Sequence, residues 1–275
     1  MRSISIGDCA FIGRDCRILA SEFSVGDYGK IHNHVVVLGP GSCKIGHNCW
    51  VGEYTMFNCH DCLTIGNNVQ IGTGNHIWTH VASGELLEGS TLFATRPVTI
   101  EDNVWLVGNG ITISPGVTLS EGTVILPNSI ITKTTKPHSC YAGNPAVDIT
   151  EKVNPWRQVS LDEKYEMMKK FAGEFITAQG GTGSPENDFI CSLGRIKFIE
   201  SLEPAESDEI DRTSKGGTVV ITKSEIGKLR ACNVTFFSLA SKKYTKHLFP
   251  LERSLMNFLV GVRARFIPLS EGSAT

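Results

Sequence analysis

Ile45-Gly46-His47-Asn48-Cys49-Trp50-Val51-Gly52-Glu53-Tyr54-Thr55-Met56-Phe57 and Ile65-Gly66-Asn67-Asn68-Val69-Gln70-Ile71-Gly72-Thr73-Gly74-Asn75-His76-Ile77 are two versions of one pattern. In both, a bulky apolar residue returns every six positions, and glycine follows it at the first two. Six is not a multiple of 3.6, so the pattern is not that of a helix. The same beat runs outward through Ile6, Ile12, Ile18, Val25, Ile31 and Val37, and resumes at Ile100, Leu106, Leu119, Ile125 and Ile131. Four positions after the apolar residue stands a small one, as at Ala10, Cys16, Gly29, Cys49, Thr55, Gly110, Thr123, Ser129 and Thr135. Ile6, Val25, Ile45 and Ile65, which open the larger units, are 19 or 20 residues apart. Three hexads and a joining residue or two thus make one coil. A chain of such coils is a solenoid, in which each coil buries its apolar edge only against the next. Cys16 and Cys49 then read as packing residues.

The remaining composition sets bounds. In 275 residues, 41% are hydrophobic and 20% charged, which excludes a largely disordered chain. A net charge of −2 gives no basic field for nucleic acid. No apolar run approaches the roughly 18 residues of a membrane span, and the first residues have no signal-peptide apolar core. Nine cysteines without an export signal point to free thiols in the cytoplasm. Residues 1–150 hold 18 of the 28 glycines with 8 Lys+Arg and 12 Asp+Glu, against 18 and 16 in residues 151–275. The two parts therefore read as different architectures, with Gly180-Gly181-Thr182-Gly183-Ser184-Pro185 as a candidate joint.

The hexads, together with Arg96-Pro97-Val98-Thr99-Ile100-Glu101-Asp102-Asn103-Val104-Trp105-Leu106-Val107-Gly108 and the ending Tyr141-Ala142-Gly143-Asn144-Pro145-Ala146, resemble the hexapeptide-repeat acyltransferases, and most closely their sugar O-acetyltransferase branch. The resemblance covers roughly residues 4–150. It implies an all-β left-handed parallel β-helix over residues 1–150, working as a homotrimer with sites between subunits. It also implies acetyl-CoA as co-substrate, without a metal, and a small-molecule or glycan hydroxyl as acceptor.

Between His80 and Pro97 the hexads stop, which makes residues 81–97 a long inserted loop of the functional kind. A hydroxyl is a poor nucleophile at neutral pH, and a neutral imidazole can take its proton during attack on a thioester. In the resembling enzymes a Thr-His pair before the loop supplies that imidazole, which makes His80 the first candidate and His76 its rival. Asn58, one coil back, resembles an asparagine near the acceptor or the oxyanion. Glu85 and Glu88 in the loop are candidates to orient the imidazole or bind sugar hydroxyls, and Trp105 to pack on the acceptor. The resemblance assigns the coenzyme A arm to the backbone at Gly108 and Gly110, to Ser129, Lys133, Lys136 and Asn144. Three readings stay open beside it: N-acetylation of a nucleotide-linked amino sugar, a γ-carbonic-anhydrase-like zinc site built from His60, His76 and His80, and a noncatalytic assembly subunit. His60 and His80 are 20 apart, one coil length, so their rings are expected to meet.

Residues 151–184 read as a helix and linker. Ser160 caps residues 161–178, and Leu161, Tyr165, Met168, Ala172 and Phe175 share one face. Residues 185–275 read as a small α+β domain, with strands at 189–199, 218–222, 233–239 and 264–268 and a helix at 251–260.

Overall fold

Each 19- or 20-residue unit lays down three short strands, and each strand pairs in parallel with its counterpart one coil later. In the computed structural model, which describes residues 2–214, 217–226 and 233–269, this builds three stacked sheets. The first runs Ser3–Ile6, Glu22–Val25, Ser42–Ile45, Leu63–Ile65, Val98–Ile100, Thr118–Leu119. The second begins Phe11–Ile12, Lys30–Ile31, Trp50–Val51, and the third holds Val36–Leu38, Met56–Asn58, His76–Trp78 and their equivalents. The register keeps the hexads aligned: Ile45 faces Ile65 and Ile65 faces Ile100, while Ile71 faces Leu106 and Ile77 faces Ile113. Apolar residues of all three sheets, among them Ile45, Val51 and Phe57, form one buried core. Cys49 lies within that core and Cys16 packs against it.

Two features explain the residues between the apolar positions. Where a glycine follows a strand, the closeness of the coils requires it: a Cβ on Gly46 would stand 2.6 Å from the Gly66 carbonyl oxygen. The turns after the strands of the first and second sheets pass through a left-handed residue, a conformation asparagine tolerates. Asn48, Asn68 and Asn103 have φ of 57°, 61° and 61°. They also form an amide ladder, Asn48 Nδ2 donating to Asn68 Oδ1 at 3.1 Å and Asn68 Nδ2 to Asn103 Oδ1 at 3.0 Å. Hexad counting does not reveal this ladder.

The repeat breaks once. Leu63 pairs with Cys43, 20 residues earlier, but also with Val98, 35 residues later. The additional residues form an antiparallel hairpin, His80–Ala82 against Phe93–Thr95, with a loop between. After the last coil, Cys140–Gly143 joins the second sheet and turns back through Asn144-Pro145, a cis peptide, into Ala146–Asp148.

The chain divides into two units, Met1–Arg157 and Gln158–Thr275, so the boundary falls a little after the expected residue 150. Helix Leu161–Ala178 belongs to the second unit and is no separate linker element. Its Ser160 cap and Glu163 form a capping box, and Tyr165, Met168, Ala172 and Phe175 are buried as expected. Tyr165 meets Phe198 edge-on at 5.5 Å. The glycine-rich stretch lies inside this unit and is not a joint between domains: Thr182–Gly183 is the edge strand of a seven-stranded sheet. The expected strand at 189–199 is a hairpin of Phe189–Cys191 and Gly194–Ile199. Gly194–Ile199, Thr218–Thr222 and Val234–Ser238 are parallel. Helix Pro204–Thr213, strand Lys243–Tyr244 and helix Pro250–Leu259 add to them. The buried carboxylate of Glu252 accepts from Thr235 Oγ1 at 2.6 Å and from the backbone N–H groups of His247 and Leu248 at 3.0 and 3.1 Å.

Candidate functional site

Two of the site candidates, Asn58 and His80, lie where the repeat breaks. Thr79 is fully buried at this corner. Its Oγ1 donates to the carbonyl of Asn58 at 2.8 Å and accepts from the N–H of Asp61 at 2.9 Å. Its N–H donates to the same Asn58 carbonyl at 3.2 Å, and its carbonyl accepts from Arg96 N–H at 2.9 Å. One threonine thus ties the rung carrying Asn58 to the rung carrying His80 and to the return of the hairpin.

The imidazoles of His60 and His80 stack, with centroids 4.3 Å apart and planes inclined by 20°. On its other contact, His80 meets the edge of Phe93 at 6.0 Å. Phe93 comes from the hairpin's second strand, so the insertion itself forms part of the surroundings of His80. His80 is half-buried, and among the described residues its ring nitrogens make no hydrogen bond. Asn58 is nine-tenths buried or more and sits 3.2 Å, Oδ1 to Nδ1, from His60. An amide oxygen only accepts, so with this amide orientation the contact is a hydrogen bond in the His60 tautomer protonated on Nδ1. Asn58 Nδ2 donates to no group among the described residues. Around His60 the arrangement therefore gathers an imidazole with uncommitted nitrogens and an amide N–H group with no partner among the described residues. Those are the parts that proton abstraction and oxyanion stabilisation require.

The other candidates are distributed less evenly. His76 is exposed on the outer face of the third sheet, its ring edge-on to Trp78 at 6.3 Å, and is not part of the stacked pair. Glu85 and Glu88 are exposed in the loop, where the Glu85 carbonyl closes turns to Glu88 and Ser90; neither carboxylate bonds to His80. Leu87 at the loop tip is 91% exposed, and Leu86, Leu92 and Phe93 are exposed with it. Trp105 lies in the second sheet between Gln70 and Val124. Among the described residues, no group of three His, Cys, Asp or Glu side chains is placed to hold one metal ion.

Toward the end of the solenoid, Gly108 and Gly110 have φ of 74° and 71°, and a Cβ on Gly110 would meet Asn128 Oδ1 at 2.4 Å. Ser129 is buried: its hydroxyl donates to the Leu126 carbonyl and accepts from Gly143 N–H, so it staples the closing hairpin. Lys136 pairs with Asp148 at 3.3 Å, and that carboxyl is held below its usual range by Thr150 first and Lys136 second. Lys133 is exposed and has no partner among the described residues. Asn144 is exposed at the hairpin turn. The second unit holds a half-open cavity of about 520 Å³, partly lined by Cys191, Arg195, Lys197 and Thr218, which the sequence did not announce.

No protein-family model matches the chain. A putative acetyltransferase of Saccharomyces cerevisiae, YJL218W, is 33% identical over 136 residues, covering 45% of this chain and 68% of the relative. The chain belongs to the hexapeptide-repeat acetyltransferase family. A putative acetyltransferase of Schizosaccharomyces pombe, C18B11.09c, is 29% identical over 153 residues, covering 53% of this chain and 71% of its own length. The galactoside O-acetyltransferase of Lactococcus lactis is 25% identical over 168 residues, covering 51% of this chain and 78% of its own. Among solved structures, a maltose O-acetyltransferase from Clostridium difficile is 27% identical, with a TM-score of 0.35, over 53% of this chain and 67% of that one. The enzyme is accordingly an acyltransferase. No helix of the described residues is long and apolar enough to cross a membrane.

Proposed function

We propose that the enzyme is a left-handed β-helix O-acetyltransferase that moves an acetyl group from acetyl-CoA to a hydroxyl of a sugar or glycan, with His80 as base. The observation that carries this reading is the corner at Thr79, where Asn58 and His80 stand together at the break in the repeat. The galactoside O-acetyltransferase among the relatives favours a hydroxyl acceptor over an amine. A ring nitrogen of His80 takes the acceptor's hydroxyl proton as its oxygen bonds to the thioester carbon. Asn58 Nδ2 donates to the oxyanion that forms. The intermediate collapses by breaking the carbon–sulfur bond, and the imidazolium returns its proton to the departing thiolate. The step needs no metal and no covalent acyl-enzyme.

Lys133 is the residue available to a coenzyme A phosphate, since Lys136 is engaged by Asp148 and the Ser129 hydroxyl by the chain itself. Gly108, Gly110 and Asn144 would present backbone and turn to the arm of the coenzyme. The loop carrying Glu85 and Glu88, with Trp105, would meet the acceptor. The reading includes a homotrimer and a cytoplasmic enzyme, where acetyl-CoA is supplied. His80→Ala should lower turnover by about 10²–10⁴, with acetyl-CoA affinity unchanged by calorimetry. Unchanged turnover in that variant, with loss in His76→Ala, would transfer the role to His76.

A further inference from the structure

In Cys59-His60-Asp61-Cys62, Cys59 belongs to the solenoid core and Asp61 is tied to Thr79, but the proposed reaction gives His60 no part. The stretch does not read as a metal site: Cys59 is buried with its thiol turned to the Phe57 carbonyl at 3.8 Å, while Cys62 is exposed. His60 itself makes two specific contacts, and they reach the two residues that the reaction uses. Its ring covers that of His80 at 4.3 Å, and its Nδ1 bonds to Asn58 Oδ1 at 3.2 Å.

We propose that His60 is the positioning residue of the acetyl-transfer site, fixing the plane of the His80 imidazole by stacking and the rotation of the Asn58 amide by its Nδ1–H bond. This rests on His80 acting as the base. The amide part follows from hydrogen-bond chemistry. An unsupported asparagine can exchange its oxygen and nitrogen by turning about χ2. A donor on its oxygen side forbids the turn and leaves Nδ2 as the group presented elsewhere. Only a donor does this, so His60 must hold its proton on Nδ1. The stacking part follows from what His80 lacks. Catalytic imidazoles are usually held by a hydrogen bond on the nitrogen remote from the substrate. His80 makes none among the described residues, and its ring is confined by His60 on one face and the edge of Phe93. Misplacement of a reacting group by about 1 Å can cost on the order of 100-fold in rate, so the loss of such a support should be visible in kcat.

The test uses the full chain with acetyl-CoA, and reads thioester cleavage both with a simple galactoside acceptor and with water alone. His60→Ala should lower kcat by about 10- to 100-fold while the KM for acetyl-CoA stays within about twofold. His60→Phe, which keeps the stack and loses the bond, should recover part of the loss. In a background that carries both His80→Ala and Asn58→Ala, His60→Ala should add less than about twofold, because a residue acting through those two has nothing left to position. Nitrogen-15 spectra of histidine-labelled protein should show His60 protonated on Nδ1, and Asn58→Ala should release that tautomer. If His60→Ala retains kcat within twofold while His80→Ala loses it, the positioning role is overturned and the base reading stands. If His80→Ala turns over normally, the base reading falls and the inference falls with it. An equal loss from His60→Ala in both backgrounds would reduce His60 to a structural residue. His60 is exposed, so these variants should fold, which circular dichroism checks.

Discussion

Replacing Thr79 by valine removes one oxygen from the corner on which the site hangs. The fully buried hydroxyl makes two hydrogen bonds, to the Asn58 carbonyl at 2.8 Å and from Asp61 N–H at 2.9 Å. Valine matches the shape and makes neither. The Asn58 carbonyl still accepts from Thr79 N–H at 3.2 Å, so the unpaired group is the Asp61 donor. A buried donor left without a partner costs about 1–3 kcal/mol. Asp61 is half-buried, which places the expected cost toward the lower end, about 1–2 kcal/mol. For a unit spanning residues 1–157, each kcal/mol lowers Tm by about 2–4 °C, so a fall of about 4 °C is expected. Thr79→Ser, which keeps the hydroxyl, should lie closer to the wild type. Tryptophan fluorescence reports this unit selectively, because Trp50, Trp78, Trp105 and Trp156 all belong to it. If Thr79→Val melts within 1 °C of the wild type (about the error of such a scan), the two bonds contribute nothing net. Thr79 would then not be what joins the rungs.

Other expectations concern the two units separately. Gly46→Ala would force a Cβ to 2.6 Å from the next coil's backbone; a loss of about 1–3 kcal/mol in urea unfolding is expected, and an unchanged midpoint would show that the coils can spread. His32 sits between Phe11 and Trp50, and burial, with help from Lys30, lowers its pKa below the ordinary histidine value. The folded state therefore binds this proton less readily than the unfolded chain, so its contribution is present above about pH 6.5 and is lost as pH falls through the lowered value. His32→Phe should flatten the decline in urea midpoint between pH 7 and 5; an unaltered slope would exclude His32 as its source. Glu252→Ala would strip the partner from Thr235 and from two backbone N–H groups, and should cost the second unit about 3 kcal/mol, read by chemical denaturation.

The solenoid was legible because its contacts repeat at one separation. A residue at Ile45 meets its equivalent at Ile65, so the coil length is printed in the spacing itself. The corner at His80 was legible because it stands where that spacing fails, and the His60–His80 stack because 20 residues is one coil. The bond from His60 to Asn58 depends on side-chain torsions within a rung, and no periodicity encodes it. Asn48, Asn68 and Asn103 likewise form a ladder only once their left-handed turns are stacked. In the second unit the contacts join distant segments. Helix Pro204–Thr213 is rich in acidic residues and has Ser207 as a buried member, which leaves hardly any apolar 3.6-residue pattern. Strand Lys243–Tyr244 has only two residues, too few for alternation to show.

The hairpin that interrupts the coils leaves the register untouched, with Leu63 opposite Val98 as though nothing stood between them. A solenoid corner of this kind behaves as a socket. The chain leaves at Thr79 and returns at Arg96, whose N–H donates to the Thr79 carbonyl, and the hairpin pairs beyond that bond. The entropy of closing such a loop grows only with the logarithm of its length, so doubling it costs about 0.6 kcal/mol. Lengthening or exchanging the segment from Ser83 to Leu92 should therefore be nearly free for the scaffold while replacing much of the surface beside the site. On the proposed function, changes in the acceptor could accumulate in one short cassette, without a single hexad having to change.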